Sequence, residues 1–225
     1  MNNHKLRSTQ KIEVTNRLLI GLCCFIFAMK CLPYFLSQFG MSIDPAITIY
    51  PWNFSPMWAF CLFGAAFLKD RLWALMLPVL VWFAGDLCIG LLMGHVKWSF
   101  YPDQPTVYLS YLLLIATGFW LRENHSAGAV IGTSFAGALL FFIVSNFGQW
   151  ALNDGTLYPH TASGLLDCYI KAIPFFRNAL ISLAVYMPIL FSPPVLELAG
   201  ITHSSNPLST AGDDVPESEP VLTNS

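Results

Sequence analysis

The chain has 225 residues, of which 55% are hydrophobic and 11% charged, and a formal net charge of −2. Soluble domains carry about 25% charged residues, so this composition excludes an ordinary soluble domain and points to a membrane. The few scattered Lys and Arg residues leave no basic face, so nucleic acid is excluded as a partner.

Residues 1–17 form an N-terminal segment with Lys5, Arg7, Lys11 and Arg17. Apolar runs then follow at 18–36, 54–68, 72–94, 106–121, 128–149 and 173–192. They predict an all-α integral membrane bundle of six transmembrane helices, 18–196, with the lipid bilayer as its surroundings. The second and fourth runs are short for a span. The first is read as a retained span because it is long, contains Lys30 and lacks a small-x-small cleavage site. Between spans two and three, "LKDR" makes a tight turn. Two connections are long, 37–53 and 150–172, and their Tyr, Trp and Pro content predicts folded lids. In the second, Thr161 or Ser163 is placed to cap a short helix over "GLLDCYIKA". Pro174 suits the first turn of span six. The tail 197–225 holds five acidic residues and no Lys or Arg. It is expected to be a disordered cytoplasmic tail.

Positive charge sets the orientation. With the N-terminus inside, seven basic residues fall on inner segments and three, Lys97, Lys171 and Arg177, on outer ones. Both termini are therefore expected in the cytoplasm, in a multi-pass protein of the inner (plasma) membrane. Gly128, Gly132 and Ala136, with Thr133 and Gly137 alongside, mark a face of span five where a helix or another subunit approaches closely. The six cysteines form no Cys-x-x-Cys pair, and five lie in apolar runs, which fits reduced buried thiols.

Three ionisable side chains lie inside the spans: Lys30, Asp86 and Arg177. At 1.5 Å per residue their depths are about 9, 12 and 6 Å, all in the outer half. Trp52 and Asn53 precede span two at the same level. Asn146 and Trp150 end span five in "SNFGQW", and Asn178 follows Arg177. Charges at depth face a cavity or a partner. An outward polar cavity is predicted, with Arg177 as the counter-ion of Asp86. Asp86, Arg177, Asn53, Asn146, Asn178 and Lys30 would bond a small polar ligand, with Trp52 and Trp150 stacking on it. A purely structural ion pair is the alternative, and Lys30 has snorkelling to the headgroups as a further one. Trp98, Tyr101, Tyr108 and Tyr111 read as an interfacial belt.

No nucleophile elbow, His-Glu-x-x-His or Walker loop occurs, so an enzyme is not expected. The intramembrane-enzyme alternative rests on Asp86 or His160 as a lone base. No cofactor is expected, and no metal. An outer metal site would need His95 and His160 with Asp103, Asp154 or Asp167. Polar groups stop at the outer half, which describes a pocket closed from inside rather than a channel.

"PWNFSPMWAFCLFGAAF", then "KDR" and "GDLCIGL", resembles the substrate-binding membrane subunits, or S components, of energy-coupling factor vitamin transporters. "SNFGQW…YPHTASGLLDCYIKAIPFFRN" resembles a family of uncharacterised bacterial six-span proteins grouped with them, over most of 50–192. The resemblance implies six helices with cytoplasmic termini. It implies a vitamin-like molecule bound near the outer face, and a transmembrane coupling subunit with ATPases as partner. One feature departs from that pattern: Gly21 and Ala28 do not give the small-xxx-small docking pattern in span one. The stripe in span five is then the substitute, or the protein acts alone. The functional expectation is uptake of a small polar molecule. A non-catalytic structural or assembly role is the alternative.

Overall fold

The computed structural model describes residues 16–41 and 54–201, without the side chain of Trp98. Trp52, Asn53, residues 1–15 and the tail from 202 onward lie outside the described residues. What is described is helical, with no strand: α1 (Asn16–Ser37), α2 (Met57–Phe67), α3 (Arg71–Leu92), α4 (Gln104–Gly118), α5 (Ala127–Leu152), α6 (Ala162–Leu190) and α7 (Pro193–Leu198). Short 3-10 turns cover Val96–Ser99 and Phe119–Arg122.

α2 is the hub. Its sequence, MWAFCLFGAAF, is apolar on every side, and every residue in it is buried. A helix with no polar face has to be enclosed, and α3, α4, α5 and α6 enclose it. Its last carbonyls are closed by Arg122, which donates from Nε to Ala65 O (2.8 Å) and from Nη2 to Leu68 O (2.6 Å). Asp70 then caps α3 by accepting from Leu72 N at 2.8 Å, which makes the "LKDR" turn.

α1, α3, α5 and α6 are each long and apolar enough to cross a membrane, with 22 to 29 residues. Only 17–33% of their most apolar windows is buried inside the protein. Phe35, Trp73, Leu80, Ile131, Ile143 and Ile173 point outward. The architecture is compatible with a membrane helical bundle. α2 and α4, with 11 and 15 residues, are shorter.

Two sequence expectations are corrected. The "GLLDCYIKA" helix and span six are one helix, α6, with Pro174 and Pro188 inside it. Neighbouring helices re-satisfy the carbonyl that an internal proline frees, so it need not start a helix. Thr161 is the cap, accepting from Gly164 N at 3.1 Å. At the other end order continues past 196, since Leu196, Ala199 and Ile201 pack into the core.

Candidate functional site

Residues 38–41 and the connections 93–103 and 153–161 gather at one end of the bundle. There α1 and α3 run parallel, and Lys30 reaches across to α3. Gly85 makes the room, because a Cβ there would come within 2.5 Å of Lys30 Cδ. Lys30 Nζ donates to Asp86 Oδ1 (2.7 Å) and to Trp82 O (2.8 Å), and sits 3.3 Å from the Trp82 ring centroid. The two charged side chains are 8% and 11% exposed, so water does little to screen them.

This corrects the expected pair. Asp86 is matched by Lys30, and no salt bridge joins it to Arg177. It also removes the snorkelling alternative for Lys30. Depth along a helix does not give the direction a side chain faces.

A polar chain continues from the pair. Tyr108 OH lies 3.4 Å from Asp86 Oδ2, and Gln104 Nε2 donates to Tyr108 OH (3.0 Å) and Ser99 O (2.9 Å). Ser99 Oγ donates to Asp86 O at 2.9 Å. A Cβ at Gly90 would collide with Ser99 Oγ, so the turn 93–103 folds back tightly on α3.

Beside this chain lies a cavity of about 240 Å³. Its walls come from Trp58, Trp82, Val107, Tyr111 and Phe141, and its polar groups from Tyr101, Asp103, Ser145, Asn146 and Gln149. Tyr111 and Phe141 meet edge to face with centroids 4.8 Å apart, and Trp58 lies 4.6 Å from Phe141. These contacts fix the ring orientations. Asn146 Nδ2 donates to its own helix at Phe142 O (2.7 Å), which leaves its carbonyl oxygen for the cavity.

Asp103 is 7% exposed. With the Gln149 amide in the orientation that satisfies it, its nitrogen donates to Asp103 Oδ2 at 2.8 Å. Burial raises the Asp103 carboxyl above the ordinary value. Burial raises the Tyr101 phenol as well, with Asp86 adding to the effect. Trp82 Nε1 is buried without a hydrogen-bond partner.

Of the expected ligand residues that are described, only Asn146 lines this cavity. Lys30 and Asp86 stand behind Trp82. Arg177 donates to Asn178 Oδ1 from Nε and Nη2 (3.3 and 3.2 Å), and Asn178 is fully buried. Both belong to a different part of α6. Trp150 pins the 153–161 connection, donating from Nε1 to Pro159 O at 2.9 Å. Trp52 and Asn53 lie outside the described residues. The belt reading is corrected for three tyrosines: Tyr111 is 1% exposed and Tyr101 and Tyr108 are half-buried. Among the described residues no three His, Cys, Asp or Glu side chains converge as a metal site would require.

A model of the family of unknown function DUF6580 matches residues 10–202. That is most of the chain, which therefore belongs to this family. No curated protein and no solved structure matches it.

Proposed function

We propose that this member of the DUF6580 family is a membrane substrate-binding protein of the S-component type, which takes up a small polar molecule. The observation that carries the reading is the cavity at the end where the long connections meet. Aromatic rings and amides converge there on one space. Few protein sites combine an apolar wall with several convergent polar groups unless they hold a ligand. The resemblance of "SNFGQW…IPFFRN" to proteins grouped with S components supports the same reading.

In this account six helices cross the inner membrane, with both termini in the cytoplasm. The charge count supports that orientation. The cavity then opens outward, and reorientation of the bundle, driven by a coupling subunit with ATPases, would release the ligand inward. Asn146 and Gln149 orient the molecule, and Trp58, Trp82 and Tyr111 enclose it. A structural or assembly role is the second reading. The Lys30–Asp86 pair favours it, because that pair ties α1 to α3 without touching the cavity.

Binding to the native state raises stability by mass action, by about 2.7 kcal/mol at a hundredfold excess over Kd. A small-molecule extract of the host, freed of protein, is therefore expected to raise the unfolding temperature of the purified full chain. It should leave unchanged Ser145→Phe, in which a ring fills the cavity. An equal response, or none, in both proteins would count against capture.

A further inference from the structure

The chemistry of the cavity restricts the charge of its occupant. Its polar groups are oxygens and amides: the Asp103 carboxylate, the Tyr101 and Ser145 hydroxyls, and the Asn146 and Gln149 amides. Among the described residues no Lys, Arg or His lines it. Lys30, the cation nearest to it through Trp82, is already spent on Asp86 at 2.7 Å. Asp103 therefore has no cationic side chain against it among the described residues, so its carboxyl is ionised at low cost only when a cation comes from outside. Gln149 supplies a neutral donor, and the N-terminus of α4, directly after Asp103, supplies a partial positive charge. Neither cancels a full charge. A buried carboxylate without a cation is costly, and it occurs where something else brings the cation.

The walls agree with the carboxylate. Indole, phenol and phenyl faces attract a cation through their ring quadrupoles, most strongly where water is excluded. Here Trp58, Tyr111 and Phe141 are all below 10% exposed, each lining the same space as Asp103. A carboxylate facing an aromatic cage is the arrangement that selects ammonium groups over anions. At about 240 Å³ the space is smaller than an ordinary drug-sized pocket of about 300–1,000 Å³.

We infer that the ligand of this cavity is a small organic cation, a protonated amine or a quaternary ammonium, whose positive group is held by Asp103 against the aromatic wall that Trp58, Tyr111 and Phe141 form. The inference rests on the capture reading above and narrows it to one charge class. An anionic vitamin is excluded as the substrate, because its carboxylate would meet Asp103 with no basic side chain to offset it.

The test uses three probes that share a benzyl group and differ in charge: benzyltrimethylammonium, benzyl alcohol and phenylacetate. Binding to the full chain in detergent is read by tryptophan fluorescence, with Ser145→Phe as the control for micelle partition. The cation is expected to bind wild type. Affinity should fall at least about tenfold in Asp103→Asn, and Asp103→Glu should recover part of it. Unliganded unfolding temperatures establish that both variants are folded. Equal cation binding by wild type and Asp103→Asn would overturn the inference. So would tighter binding of phenylacetate or benzyl alcohol, although the capture reading would survive that result. Saturable binding of none of the three at about 10 mM, well above a millimolar Kd, would also overturn it. The host-extract measurement decides capture separately, since it presumes no charge.

Discussion

Lys30 crosses to Asp86 over Gly85, where no side chain intervenes, and the two charges share one desolvated site. Removing one partner leaves the other charged and buried, which costs about 3–5 kcal/mol. Lys30→Met and Asp86→Asn are each expected to destabilise the bundle by that amount, as read by denaturant unfolding in mild detergent. Lys30→Met combined with Asp86→Leu should recover most of the loss, because an apolar pair of similar volume is often neutral. Single variants within about 1 kcal/mol of wild type would mean that the pair is no lock. Residue spacing put Lys30, Asp86 and Arg177 in the same half of their expected spans. It did not show which cation meets Asp86, since that depends on helix rotation and on the gap at Gly85. Asp103 was harder to find. It lies in a connection, where a carboxylate is normally solvated, and it is buried with Gln149 of α5 as its donor.

At the scale of elements, α4 and α5 make the tightest contact, and small residues permit it. A Cβ at Gly137 would strike Leu114 and Thr117, and one at Gly148 would strike Thr106. Gly128 and Gly132 meet nothing within 4 Å, so the four-residue stripe read from the sequence faces outward. Its neighbours at the next position, Ala129, Thr133 and Gly137, face the bundle. Gly148→Val is therefore expected to cost about 1–3 kcal/mol through overpacking. Gly132→Leu should stay within about 0.5 kcal/mol of wild type. The same unfolding measurement reads both, and an equal loss at Gly132 would mean that its face is covered. Small residues were legible in the sequence, but choosing between two stripes offset by one residue requires the partner helix. α4 teaches the same lesson for aromatics. Tyr111 shares a face with Leu114, Ile115 and Gly118, a spacing that marks it as core, whereas its place near a span end suggested a belt.

Across the whole molecule, the long apolar helices were legible from composition and run lengths, whereas the complete burial of α2 was not, because its run was read as a short span. The continuous α6 was not, because prolines at 174 and 188 look like helix starts or stops in a chain surrounded by water. At 29 residues α6 is about 44 Å long, more than the roughly 30 Å hydrocarbon core of a bilayer. Its first turns and the 153–161 connection thus rise beside the cavity end, tied down by Trp150 and Thr161. The cavity thus lies at one end of the bundle, where the capture reading needs it. The most direct measurement is native mass spectrometry of the full chain, extracted gently from its own host, alongside Ser145→Phe. The account expects one small-molecule adduct on wild type, at one per chain, and none on the variant of equal folded stability. Identical adduct-free spectra, or an adduct retained when the cavity is filled, would contradict it.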